Sequence, residues 1–193
     1  MALGGFKGRL SLQCRAELIT AEFLDVAQML DVVLEFGLQT IHRNEGAEID
    51  RVNDLEKVDR VLAEVRRRSI RHEVSLIFGL PCQTLGSFSS SVQWCLERQV
   101  PVIKAFPLML LRGTRLDQKR DRWNLRESGA SMPMVVSSSS FDRREWEQMA
   151  RIAEALIATE GGHPSDVVAL LPLAKSLEPN LRRWSSDDLE RVA

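Results

Sequence analysis

The chain has 193 residues, 44% of them hydrophobic, and a net charge of -1, enough for one domain, or one domain with an appendage, to bury a core. That charge gives no reason to expect nucleic acid or an anionic membrane surface as a partner. No apolar run approaches the ~20 residues of a membrane span, and no secretory signal is read at the start.

In chain order, Met1–Gly8 reads as a loop feeding a strand. In Leu10–Glu17, Leu10, Leu12 and Cys14 alternate with Ser11, Gln13, Arg15 and Glu17, the two-residue period of a strand with one oily and one polar face. Thr20 is placed to cap a helix carrying Phe23, Val26, Ala27 and Leu30. Asp31–Thr40 repeats the alternation: Val32, Leu34 and Phe36 on one face, Val33, Glu35, Gly37 and Gln39 on the other. Ile41–Asp50 is polar and irregular and reads as a loop at a strand's carboxyl end, where parallel α/β folds bind ligands.

Asn53 or Asp54 opens the next helix, with Leu55, Val58, Leu62 and Val65 as its stripe and Arg66–Arg68 at its negative end. In Glu73–Gly79, Val74, Leu76 and Phe78 alternate with Glu73, Ser75 and Ile77, and Gly79-Leu80-Pro81 makes a sharp turn. A helix follows with Phe88, Val92, Cys95 and Leu96 on one face, which makes Cys95 a core residue. Val102–Phe106 is a fourth strand, with Lys104 sharing the parity of Phe106. Residues 107–132 read as a long charged connection, Met134–Ser137 as a short strand, and Asp142 as the start of a helix with the stripe Trp146, Met149, Ile152, Ala153, Leu156 and Ile157. Gly161-Gly162 ends it. An apolar segment at Val167–Leu173 is interrupted by Pro172.

Helix-length segments between the strands predict parallel βα units, with helices over the apolar face and the polar face lining a cavity. An antiparallel sheet with one wet face alternates in the same way. Burying Glu35, Gln13 or Ser75 without partners costs about 1–3 kcal/mol each, more for a charge, so the cavity is expected to be wet or to hold a polar ligand. Phosphate loops with Lys-Ser/Thr, nucleophile elbows and metal-spaced histidine pairs are all missing. His42, His72 and His163 stand alone and read as exposed or capping residues. Three scattered cysteines, Cys14, Cys82 and Cys95, argue against a disulfide framework, point to a reducing, cytoplasmic setting, and form no metal-ligand spacing.

The order Leu10-Ser11-Leu12-Gln13, Gly37-Leu38-Gln39-Thr40, Arg51, Leu76-Ile77-Phe78-Gly79-Leu80-Pro81 and Phe106-Pro107-Leu108 with Gly113-Thr114 resembles the later part of the radical S-adenosylmethionine (SAM) enzyme core. The likeness is nearest to the methylthiotransferase-like and cobalamin-associated branches and to oxygen-independent coproporphyrinogen oxidase, and covers about residues 9–116. It implies an α/β fold, a partial (β/α) barrel corresponding to the later half of a (β/α)6 core with a helical C-terminal extension. The expected divisions are an incomplete barrel at 1–125, a strand and helix extension at 126–160 and a helical tail at 161–193.

In that family SAM and a [4Fe-4S] cluster sit at the carboxyl ends of the strands, and reductive cleavage of SAM yields a 5′-deoxyadenosyl radical. By resemblance, Gln13 stands where a glutamate often contacts the SAM ribose. Gln39 and Arg51 match positions touching the amino-acid or ribose portion, and Glu35 shares the inward parity of Gln39. Ser75 replaces a ribose-binding aspartate, and Gly79, Leu80 and Pro81 match the turn beside the adenine. The CxxxCxxC loop that holds the cluster is absent, so the resemblance implies a chain beginning mid-barrel: a truncated gene, a fragment or a degenerate copy. It further implies SAM as small-molecule partner, cobalamin as a cofactor of the nearest branch, and self-association through an unpaired barrel edge. The alternative is a non-catalytic barrel domain acting as a binding or partner module.

Overall fold

A computed structural model describes residues 8–129 and 133–177. All but the last residue of the loop read at Met1–Gly8, and the last part of the tail, from 178 on, lie outside these residues. Four strands, β1 (Leu10–Cys14), β2 (Val32–Gln39), β3 (Arg71–Phe78) and β4 (Ile103–Pro107), form one sheet in the order β1-β2-β3-β4, every pair parallel. Along β2 the residues Val32, Leu34, Phe36 and Leu38 are buried, while Val33, Glu35, Gly37 and Gln39 are half-buried. The alternation therefore separates a helix-covered face from an open one, as in an arc of a (β/α) barrel.

The helices form where the sequence caps them. Thr20 accepts a hydrogen bond from the Phe23 amide at the start of α1 (Ala21–Gln28). After α2 (Arg43–Glu48), α3 (Leu55–Arg67) is capped by Asp54, which accepts from the Lys57 amide, and buries Val58, Leu62 and Val65. Thr84 and Ser87 cap α4 (Leu85–Glu97) reciprocally, and Asp142 and Glu145 do the same for α6 (Arg143–Ala158). Between them lie α5 (Arg115–Gln118) and an antiparallel pair, β5 (Arg126–Glu127) with β6 (Val135–Ser137). Asp166 caps α7 (Val167–Ser176).

The core is a single apolar cluster running from Ala16 through the sheet to Leu170 and Ala174. At its centre the Phe78 ring lies 5.8 Å from Phe88 and 5.6 Å from Trp146, both tilted, so that β3, α4 and α6 lock together. Cys95 is fully buried there, and burial pushes its thiol up to about 12.

Several expectations are corrected. Ile41–Asp50 is not a plain loop but contains α2, which has no apolar stripe to announce it. It is held by buried Glu45 and by Gly46, whose lack of a Cβ lets the Arg51 backbone pack against it. His72 is buried rather than exposed: its ring lies 6.5 Å from Phe36 and its Nδ1 is 3.0 Å from the Ile70 carbonyl. Pro172 does not interrupt α7. The amide it lacks would face the carbonyl of Val168, a residue 71% exposed, so water can satisfy that oxygen. Ile157 points outward at 37% exposure, its place on the buried stripe taken by Ala150 and Ala155. The 107–132 connection carries α5 and β5, with Glu127 accepting from Arg112 and Arg120 and Trp123 Nε1 donating to Glu48.

Candidate functional site

The open face of the sheet lines a cleft of about 450 Å³. Cys14 ends β1 and Arg15 follows it, Gly37 and Gln39 end β2, and Phe106 and Pro107 end β4, so the cleft opens at the strands' carboxyl ends. This is the rim at which parallel α/β folds bind ligands. Five of the eight residues singled out in the sequence line it: Gln13, Glu35, Gln39, Arg51 and Ser75.

Their placement follows from register. Gln13, Glu35 and Glu73 sit side by side across three strands, and Gly37, Ser75 and Lys104 form the next row toward the rim. Lys104 Nζ pairs with Glu73 at 2.7 Å, which compensates that nearly buried carboxylate. Glu35 accepts from the Ser11 hydroxyl and has no cationic partner among the described residues. Burial, and secondarily the Glu35 charge, pushes the neighbouring Cys14 thiol up and keeps it protonated.

Arg51 reaches the same space from beyond α2. Its Nη2 donates to the Gly37 carbonyl at 2.8 Å, its Nε is buried with no partner, and no carboxylate pairs with it among the described residues. Burial first, then the nearby Arg15, lowers its pKa, with Glu17 opposing. A guanidinium keeps its proton regardless, so the cleft holds a fixed positive charge with hydrogen-bonding capacity unspent. The far wall is different in kind: Phe106, Met109 and Leu111 are 43%, 47% and 64% exposed, a run of apolar surface facing the polar side.

Gln39 is shaped by its backbone. Its φ is +67°, the β2–β3 register slips between Gly37 and Gln39, and the Thr40 amide donates to the Leu38 carbonyl at 2.8 Å across it. That i to i+2 bond with a positive central φ marks the strained form of γ-turn, and the slip is a bulge of the kind that re-aims a side chain. The result folds the Gln39 amide back over Gly37: a Cβ at residue 37 would lie 2.6 Å from Gln39 Nε2 and 3.2 Å from Arg51 Nη2.

Gly79, Leu80 and Pro81 are buried beneath the rim and do not line the cleft. They form the turn whose amides, at Gly79 and Leu80, donate to Gln83 Oε1 at 2.7 and 3.2 Å. Gly79 needs its glycine: φ is +90°, and a Cβ would lie 3.1 Å from the Val135 carbonyl oxygen. Sequence reading did not select Arg15, Phe106, Met109 or Leu111. The parity shared by Arg15 with Gln13, and by Phe106 with Lys104, is the signal that locates the first two; the others follow Pro107 outside any strand and carry none.

No family model matches the sequence. An uncharacterised protein of Methanocaldococcus jannaschii is 22% identical over 114 residues, which cover 56% of this chain and 35% of that protein. Among solved structures, the chain is similar to the radical SAM methyltransferase TsrM of Kitasatospora setae, determined with cobalamin and a [4Fe-4S] cluster bound. That likeness has a TM-score of 0.55 at 19% identity, over 73% of this chain and 30% of TsrM. It is also similar to the archaeal Elp3 of Methanocaldococcus infernus, with a TM-score of 0.52 at 15% identity over 59% of this chain and 28% of that one. The chain thus spans about a third of the length of the proteins it matches. With its parallel sheet in chain order and its cleft at the strands' carboxyl ends, the chain has the fold of the radical S-adenosylmethionine enzymes.

Proposed function

We propose that this chain contributes the later βα units of a radical SAM barrel, and that its cleft holds part of SAM and of the substrate. The observation that carries the reading is Arg51: a guanidinium with no carboxylate partner among the described residues, its Nε buried and unpaired, beside the inward amide of Gln39. A planar fork of donors in that setting suits a carboxylate, and SAM carries one on its amino-acid portion. Glu35, lacking a cation, suits the SAM ammonium or a ribose hydroxyl, with Gln13 and Ser75 as neutral partners in place of the acids common in the family.

The residues of this chain fit SAM. SAM supplies, on reductive cleavage, a radical able to abstract hydrogen from a substrate; this chain's part is to bind the amino-acid end, orient the ribose and keep the cleft's charges paired. They do not fit the iron–sulfur cluster. Among the described residues no three His, Cys, Asp or Glu side chains group as a metal site, and Cys95 is wholly buried. No step through a cluster is therefore assigned to these residues, and the reading gives cobalamin no residue here. Three free thiols accord with a cytoplasmic setting. The outer edge of β1, which has no strand partner among the described residues, offers a route to self-association.

Calorimetric titration of the purified chain with SAM tests the binding half of the reading. Saturable heat that Arg51→Ala weakens supports it, while silence in the folded chain removes SAM from the cleft. The lack of a cysteine triad favours a second reading, a barrel domain that binds without catalysing. The coding DNA upstream of Met1 separates the two: an in-frame CxxxCxxC supports the enzyme, and an unrelated gene supports the binding module.

A further inference from the structure

Gln39 presents its amide to the cleft only because its backbone is held in a conformation a glutamine seldom adopts. The held element is short: Leu38, Gln39, Thr40. The Asn53 side chain spans it. Asn53 Nδ2 donates to the Leu38 carbonyl at 2.6 Å and to the Thr40 carbonyl at 3.0 Å, one on each side of Gln39. Both acceptors are carbonyls, so only the amide nitrogen can face them, and both of its hydrogens are used. A second tie reinforces the first: Thr40 Oγ1 donates at 2.6 Å to Glu45 Oε2, on a carboxylate only 1% exposed.

From this geometry we infer that Asn53 is a positioning residue: it fixes Gln39 in its left-handed turn and so sets where the cleft presents its amide beside Arg51. Asn53 is not among the residues that line the cleft. It is also not the cap of α3, a role the adjacent Asp54 fills. Its two hydrogen bonds are thus spent on the turn alone. An unrestrained glutamine would relax toward negative φ, the bulge between Gly37 and Gln39 would be lost, and the side chain would leave its place over Gly37.

The inference rests on the SAM reading for its consequence but not for its geometry, and a double-mutant cycle keeps them apart. Asn53→Leu removes both donors at similar volume, and Gln39→Gly removes the strain, because glycine takes positive φ freely. Urea denaturation of the full chain reads the coupling. Asn53→Leu is expected to lower the midpoint, and much less so in the Gln39→Gly background. An equal drop in both backgrounds overturns the inference. SAM titration reads the consequence: Asn53→Leu is expected to weaken binding about tenfold, the equivalent of one hydrogen bond, and to leave the weaker binding of Gln39→Gly unchanged. Coupled midpoints with unaltered affinity would make Asn53 merely structural and overturn the positioning role. If the parent chain binds no SAM, it is the functional reading that fails, and the midpoints still decide whether Asn53 holds Gln39.

Discussion

Arg51 reaches the backbone of Gly37, its Nη2 hydrogen-bonded to the carbonyl at 2.8 Å and just 3.2 Å from where a Cβ would stand. A methyl group at residue 37 would also meet Gln39 Nε2 at 2.6 Å. Gly37→Ala is therefore expected to displace both side chains while the strand, which needs no positive φ there, survives. SAM affinity measured by calorimetry should fall, with the far-ultraviolet circular dichroism unchanged; unaltered affinity would mean that neither side chain contacts the ligand.

Arg51→Ala is the direct test of the charge. Hydrogen bonds to charged groups contribute about 1.5–3 kcal/mol, so a cleft that uses the guanidinium to bind a carboxylate should lose that much SAM affinity. Arg51→Lys should restore a minor part, since an ammonium cannot donate two parallel bonds. Equal affinity in all three proteins would place Arg51 outside the site.

Anaerobic reconstitution with iron and sulfide is expected to leave this chain without a stoichiometric four-iron cluster. Cys14 lies on β1, Cys82 in the turn after β3, and Cys95 is buried in the core with its thiol pushed up to about 12. Iron and sulfide counts approaching four per chain would refute the claim.

Stability should decline below pH 6.5, the ordinary histidine value. Burial lowers the pKa of both His72 and His163 in the folded chain. The neutral form is thus favoured by folding, and the unfolded chain takes up protons first. Their contribution is complete above 6.5 and is lost as pH falls. His163 has a structural stake as well, because its Nε2 accepts the Ile103 amide at 3.2 Å and protonation removes that acceptor. Urea midpoints from pH 7.5 to 5 check this, and His163→Gln should flatten the slope.

Cys82 sits at φ +62° in the turn after β3. A left-handed conformation costs a non-glycine residue about 1–2 kcal/mol, of which glycine's greater loss of chain freedom returns part. Cys82→Gly is expected to stabilise the chain by roughly 0.5–1 kcal/mol on the same principles, seen as a higher denaturation midpoint. A lower midpoint would show that the half-buried thiol contributes more than its backbone costs.

The sheet was legible because alternation is a local property: Val32, Leu34 and Phe36 against Glu35, Gly37 and Gln39 state two faces without reference to any other segment. So were the caps at Thr20, Asp54 and Asp142, where side chain and amide are neighbours in sequence. What was not legible is held from a distance. α2 depends on Gly46 meeting the Arg51 backbone and on Glu45 meeting Thr40 and Gln83, none of which leaves a periodic trace. His72 is buried by Phe36 on another strand. Asn53 read as a candidate cap; only its distances to Leu38 and Thr40 reveal its partners.

The strand order β1-β2-β3-β4 is also the order of synthesis. Of the four, each strand after β1 leaves the ribosome with its partner already made and settles at the growing edge, without threading between strands that are already paired. Each crossover is helix-length, so contacts close one unit at a time. Trp146, which packs against Phe78 from α6, arrives after all four strands exist. A sheet built in this manner can assemble vectorially, with Trp146 sealing a template laid down before it.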